Sequence, residues 1–410
     1  MQRPAQYMAV MELFDSLAQN ATPADRLVAA YFRGNRYIGS KDKGFISTHL
    51  YRILRTYYTL GAALDACHLP VSGRSLVLAQ AVRDNEVMDE IFTDAEYQPK
   101  RLSENEKKMA RHIPEHLKKA AEGAVKWEVP EWIVPLLQRA FGADAEAAAM
   151  AWQAEAPLDV RANTLKTTRE TVLQALEATG HRVSPTPHSP LGVRLAKRAA
   201  LHELQTFKDG WFEVQDEGSQ LLAAFTGVKP GQRVVDFCAG AGGKTLAMAA
   251  MMQNKGQIMA CDVIEEKLEE TRKRLKRAGV GNAQTHLIAR ELDKWQKSQA
   301  NLADVVLVDA PCSGTGTWRR NPDAKFRFSA EKLAELQTIQ RDILGRAALL
   351  VKAGGKLIYA TCSVFLEEND DQAANFSAQN PTWQQGDVLR VAPHTHNTDG
   401  FYAVTFIKPK

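Results

Sequence analysis

The stretch VVDFCAGAGGKTLAMAAMM (234–252) decides how the second half of the chain is read. A short apolar run reaches Asp236, a glycine-rich turn follows, and an Ala/Met-rich run at helical spacing comes after it. That order predicts a strand, a tight turn and a helix, with a ligand-approachable backbone at the turn. Outward from it the alternation repeats. QIMACDV (257–263) reads as a strand and EEKLEETRKRLKRAG (265–279) as a helix. DVVLVDAP (304–311), AEKLAELQTIQRDILGRAALLV (330–351) and GGKLIYATCS (354–363) continue as strand, long helix and strand. Strands alternating with helices at this spacing predict a largely parallel α/β sheet covered on both faces, over residues 221–410. Gly240, Gly242 and Gly243 are not spaced as G-x-G-x-x-G, and GAGGKT lacks the four-residue spacer of a phosphate-binding Walker loop. Asp262, at the tip of the next strand, is placed to accept hydrogen bonds from ribose hydroxyls. A nucleoside cofactor other than NAD is therefore expected at the carboxyl ends of the strands.

The first half has another texture. Met8, Met11, Leu13, Phe14 and Leu17 recur at helical spacing, as do Ile46, Leu50, Ile53, Leu54 and Tyr57. Residues 1–140 are read as an all-α accessory domain. Residues 98–130, polar and carrying Pro99, Pro114 and Pro130, read as a connection with at most a short helix. Residues 150–220 mix short strands, turns and one amphipathic helix ending at Gly180, and predict a small α/β subdomain.

The 410 residues carry 52 Lys and Arg against 48 Asp and Glu, a net charge of +4, which permits an anionic partner without demanding one. No apolar run approaches the roughly 18 residues of a membrane-spanning helix, and Glu12 and Asp15 interrupt the N-terminal apolar pattern. A cytoplasmic monomer with no membrane partner is expected. The five cysteines, Cys67, Cys238, Cys261, Cys312 and Cys362, are too few and too scattered for a disulfide framework, a CxxC redox pair or a metal site. Cys67, Cys238 and Cys261 sit in apolar surroundings, where a free thiol packs as a small hydrophobe. Cys312 and Cys362 differ. Each closes a strand in a polar, turn-rich setting, so both are expected to face the cofactor crevice. After Cys312, Arg319, Arg320, Lys325 and Arg327 interleave with Trp318, Phe326 and Phe328, a pattern suited to phosphates and stacked bases. The basic run RKRLKR (272–277) reads as a solvated helix face.

DFCAGAGGKT (236–245), DAPCSGTGTWRRNPD (309–323) and YATCSVFLEEND (359–370) together resemble the motifs of the Nop/Sun (Fmu) family of RNA cytosine-5 methyltransferases. VRANTLK (160–166), WFEVQDEGSQL (211–221) and DGFYAVTFIKPK (399–410) fit the same pattern, so the resemblance covers roughly 150–410. It implies a Rossmann-like S-adenosylmethionine-dependent catalytic domain, an RRM-like RNA-binding subdomain and, because KDKGFISTHLYRILR (41–55) resembles a NusB-like helix, a NusB-like N-terminal domain. It implies that Cys362 attacks carbon 6 of cytosine, making carbon 5 nucleophilic towards a sulfonium methyl. Cys312 would then assist release, and Asp309 would hold the base edge. Cofactor contacts would come from Cys238, Ala239, Gly240, Ala241, Gly242, Gly243, Lys244, Asp262 and Asp309. The family's loop is usually Ala-Pro-Gly-Gly-Lys, where this chain has Gly240-Ala241-Gly242-Gly243-Lys244. For the acidic residue after the third strand, IARELD (288–293) offers Glu291 or Asp293. The substrate implied is a flipped-out or single-stranded cytosine in ribosomal RNA, naked or in small-subunit assembly. An amino-methyltransferase would carry Asp/Asn-Pro-Pro-aromatic where Asp309-Ala310-Pro311-Cys312 stands. A non-catalytic RNA-binding assembly factor would not need both thiols.

Overall fold

The computed structural model describes residues 1–20, 22–123 and 125–410. They fall into two compact units, one of Met1–Glu155 with Trp318–Phe328, the other of Ala156–Thr317 with Ser329–Lys410.

The first unit is helical. Arg3–Gln19, Ser40–Arg55, Tyr57–Ala66 and Gly73–Arg83 present Val10, Leu13, Ile46, Leu50, Leu60 and Leu76 to one core. The expected connection at 98–130 is corrected here. It contains the helices Glu104–Ala110 and Ile113–Glu122, and Leu102, Ile113 and Leu117 are buried in that same core. Two local signals underlie this. Ser103 and Glu106 form a reciprocal capping box, and Pro114 stands in the first turn, where its missing N–H costs no hydrogen bond. Pro114 marks a helix start rather than a linker.

The second unit contains two sheets. Strands β1 (Leu158–Ala162), β2 (Val183–Pro185), β3 (Gly192–Leu195) and β4 (Phe212–Val214) form an antiparallel sheet in the order β2-β3-β1-β4. Val160, Ala162, Val193 and Phe212 pack on Val172 and Leu176 of the Arg169–Ala178 helix. The larger sheet takes β5 (Arg233–Asp236), β6 (Gln257–Asp262), β7 (Ala283–Leu287), β8 (Ala303–Asp309), β9 (Val351–Thr361), β10 (Gln384–Val391) and β11 (Phe401–Ile407). Its order is β10-β11-β9-β8-β5-β6-β7, parallel from β9 to β7, with β11 antiparallel to both neighbours. The expected α/β class holds. Apolar residues of the central strands alternate between two core clusters, Val235, Val306 and Leu357 on one face and Val234, Leu307 and Ile358 on the other, so both faces are covered. The chain order reverses between β5 and β8, a switch point at which open α/β sheets form a ligand crevice.

Candidate active site

At the tip of β5, Asp236 is buried and its Oδ2 accepts from Thr245 Oγ1 at 2.6 Å. Burial pushes the Asp236 carboxyl up to about 7 against that hydrogen bond, and the nearby Asp309 adds to the rise. The turn closes on Gly242, with φ of 78°, immediately before the Gly243–Met251 helix. A β-carbon there would lie 2.7 Å from Thr271 Cγ2, so glycine is required twice over. Asp262 at the tip of β6 braces the turn. Its Oδ2 accepts from Gly240 N at 2.9 Å and its Oδ1 from Ile264 N at 3.0 Å. Thr271 Oγ1 donates to Gly240 O at 3.0 Å from the other side.

Gly240, Asp262 and Ile264 help to wall a cavity of about 730 Å³. Of the expected cofactor residues, Cys238, Ala239, Gly240, Ala241, Asp262 and Asp309 line it; Gly242, Gly243 and Lys244 do not. Glu291 and Asp293 are not in the wall either. Glu291 is exposed, while Asp293 caps the Lys294–Ser298 helix through Gln296 N at 2.7 Å and accepts from Ala289 N at 3.1 Å. Arg290 lines the cavity instead. The long Ala330–Leu350 helix adds Ile339, Asp342, Ile343 and Arg346, which the sequence reading missed. Their three- and four-residue spacing puts them on one helix face, but periodicity does not say which ligand that face meets. A nucleoside sulfonium fits this set. Ile264, Ile288, Ile339 and Ile343 offer apolar walls for a flat base, Asp262 offers carboxylate oxygens, and the backbone of 238–241 can approach closely.

Next to the cavity stand the two thiols. Asp309 of β8 and Ala360 of β9 are register partners, so the turns that follow carry Cys312 and Cys362 side by side, with Sγ atoms 3.4 Å apart. The turns are tied together. Gly316 N donates to Cys362 O at 2.9 Å, and Val364 N donates to Thr315 Oγ1 at 2.9 Å. Buried Glu368 accepts from Ser313 N at 2.8 Å, from Ser313 Oγ, and from Gln340 Nε2 at 3.0 Å. Lys244 Nζ donates to Asp309 Oδ2 at 2.6 Å. Burial alone would lower the Lys244 pKa, but the pairing with Asp309 outweighs it and the net shift is upward. Cys312 is held well above the ordinary thiol range, first by its hydrogen bond with Cys362, then by burial and the charges of Cys362 and Glu368. Burial likewise raises Cys67, Cys238 and Cys261.

The segment after the Cys312 turn is not the open cationic channel expected. Lys325 is buried in the helical unit, its Nζ donating to Arg55 O at 3.2 Å and to Glu128 O at 2.8 Å. Arg319 is also buried, with 1% of its surface exposed, and Arg327 pairs with Asp323. Arg320 is half-buried. Trp318 is buried and Phe326 packs edge-on against Tyr57 in the helical core, 4.6 Å between centroids. A cation whose donors already point at interior carbonyls is not free to neutralise a phosphate. The RNA assignment therefore fails for Lys325, and burial alone takes Arg319 away from the surface.

Residues 224–407 match the family described as 16S rRNA methyltransferase RsmB/F, and residues 129–202 match the ferredoxin-like domain of RsmF/B-like methyltransferases. A probable ribosomal RNA small subunit methyltransferase B of Synechocystis sp. is 33% identical over 304 residues, 69% of this chain and 67% of that protein. The chain belongs to the RsmB/F methyltransferase family. Methyltransferases of this family depend on S-adenosylmethionine, in accord with the cavity. Two solved structures share the fold. The crystal structure of PH0851 matches with a TM-score of 0.80 at 23% identity, covering 99% of each chain. That of NSun6 from Pyrococcus horikoshii with SFG matches with a TM-score of 0.62 at 20% identity, covering 68% of this chain and 98% of that one. Among the described residues no helix is long and apolar enough to cross a membrane, and no group of three or more His, Cys, Asp or Glu could hold a metal ion.

Proposed function

We propose that this member of the RsmB/F family methylates carbon 5 of a cytosine in ribosomal RNA through a covalent Cys362–cytosine intermediate. The observation that carries the reading is the 3.4 Å approach of two thiols at adjacent strand tips, beside the Lys244–Asp309 pair. One nucleophilic cysteine needs no second thiol at contact distance; two successive steps on one ring do. The small-subunit ribosomal RNA named for the curated relative supports the substrate class.

Cys362 Sγ, as thiolate, adds to carbon 6, and the ring electrons move to carbon 5. Asp309 accepts or shares a proton at the base edge while Lys244 holds its other oxygen, so charge developing on the ring is met by groups already in place. Bound S-adenosylmethionine supplies an electrophilic methyl group to carbon 5. Cys312, having released its own proton to solvent, takes the carbon-5 proton as thiolate, and the carbon–sulfur bond to Cys362 breaks, returning Cys362 as thiolate and restoring the aromatic ring. The raised Cys312 pKa fits this order. Once Cys362 is consumed as a thioether, its hydrogen bond with Cys312, the largest cause of that rise, is lost, and Cys312 can release its proton.

The test is methyl transfer from labelled cofactor to unmodified ribosomal RNA. The wild-type protein is expected to yield 5-methylcytosine, and Cys312→Ala to accumulate a protein–RNA adduct resolved on a denaturing gel. Loss of activity in Cys312→Ala with no adduct removes Cys312 from the release step. Binding of RNA without any transfer favours a non-catalytic assembly factor.

A further inference from the structure

With Arg319 and Lys325 turned into the interior, RNA phosphates need other cations, and the second unit presents a set. An open groove of about 800 Å³ lies between the C-terminal half of the Glu265–Ala278 helix and the segment 202–211 that leads into β4. Lys208, Lys273, Lys276 and Arg277 line it together with the rings of Phe207 and Trp211. The groove is built rather than incidental. Lys166 Nζ donates to Asp209 O and to Arg277 O, both at 2.7 Å, and so stitches the two walls. Arg277 stacks over Phe207 at 4.0 Å while its Nη2 pairs with buried Glu213 at 2.7 Å. Lys273 has Glu270 at 3.8 Å. Lys208 and Lys276 are exposed and, among the described residues, have no carboxylate at ion-pair distance. The groove's own carboxylate is Asp209, whose Oδ1 accepts from Gln205 Nε2 at 2.8 Å.

Cations from two separate segments converging on a concavity that also holds the Trp211 ring suit a single-stranded nucleic-acid backbone with a base able to stack. A protein partner fits less well, because protein interfaces are depleted in lysine and four lysines line this groove. The same helix also braces the cofactor turn, through Thr271 on Gly240 O and Arg274 Nη1 on Ala241 O at 2.6 Å. A strand held on the groove is thereby held on the element that positions the chemistry. We infer that this groove docks the single-stranded RNA flanking the modified cytosine, an inference that rests on the proposed RNA substrate.

The experiment measures affinity of the full chain for single-stranded RNA by fluorescence anisotropy across a salt series, without cofactor. Lys208→Gln/Lys276→Gln is expected to weaken binding about tenfold at low salt and to reduce the slope of log affinity against log salt by about 1.4, since each phosphate contact on a single strand contributes about 0.7. At saturating RNA its kcat should match wild type while KM rises. The charge-reversed Lys208→Glu/Lys276→Glu should lose more, and Lys229→Gln/Lys255→Gln should change nothing. Unchanged affinity and slope in the Gln pair overturn the inference, as does weakened binding with an unchanged slope. Because binding is read apart from transfer, an altered slope without any 5-methylcytosine would sink the proposed reaction and leave the groove standing.

Discussion

Residues 309–317 and 318–328 are neighbours in sequence with opposite fates. Asp309, Cys312 and Ser313 stand in a polar turn beside a cavity, close to Lys244, Cys362 and Glu368. The next eleven residues look richer in recognition chemistry, with Trp318, Arg319, Arg320, Lys325, Phe326 and Arg327, yet they complete the helical unit. Asp323 Oδ2 even accepts from Ala24 N at 3.0 Å, at the start of the Ala24–Gly34 helix. The difference teaches that alternating cations and rings describe two environments equally well. They suit a nucleic-acid channel, and they also suit an interior that supplies carbonyls for the cations and aromatic faces for the rings. What separates them is the partner, and Lys325's partners come from Arg55 and Glu128, far away in the chain.

Four experiments press on that contrast. The largest effect belongs to the polar turn's partner thiol. Cys362→Ala should lower methyl transfer more than roughly a thousandfold, the scale on which enzymes lose rate with a covalent nucleophile. A variant as active as wild type would assign the chemistry elsewhere. For the buried segment, Lys325→Ala should destabilise the protein by about 2–3 kcal/mol in chemical denaturation, because it leaves the buried carbonyls of Arg55 and Glu128 without their donor. A loss below about 1 kcal/mol, the scale of a surface ion pair, would mean that the segment is open to solvent after all.

The same lysine gives a pH test. Burial lowers Lys325 from 10.5 to about 8, against the pull of Glu128. The unfolded chain then binds more protons between these values, so this group's contribution to stability rises as pH climbs from about 8 towards 10.5. Thermal melts of wild type should gain on those of Lys325→Met across that window; parallel curves would show an ordinary, solvated lysine. The smallest expected effect is on RNA binding. Arg327→Gln should leave the salt slope of RNA affinity unchanged, since Arg327 is occupied by Asp323. A fall of about 0.7 would return Arg327 to the RNA surface.

Much of the catalytic half was legible because its signals are local. Strand, glycine turn and helix lie consecutively around Gly242, and strand-end positions place Asp262, Asp309, Cys312 and Cys362 without reference to distant residues. The cavity's far wall was not legible. Asp342 and Arg346 belong to a long helix whose face reaches the cavity only because of where the sheet lays it. Asp293 shows the converse: an acidic residue near the expected position is taken up by a helix cap instead.

The sequence by itself determined the α/β class, the four central strands with the helices between them, the glycine turn and the two strand-end thiols, because each follows from residue types a few positions apart. The tertiary structure alone decided that the thiols touch, that Leu102, Ile113 and Leu117 pack into the helical core and that Lys325 is interior while Lys208 and Lys276 are not. Those outcomes depend on which chain segments meet across long separations. Burial and charge pairing are properties of that meeting, and no local pattern encodes them.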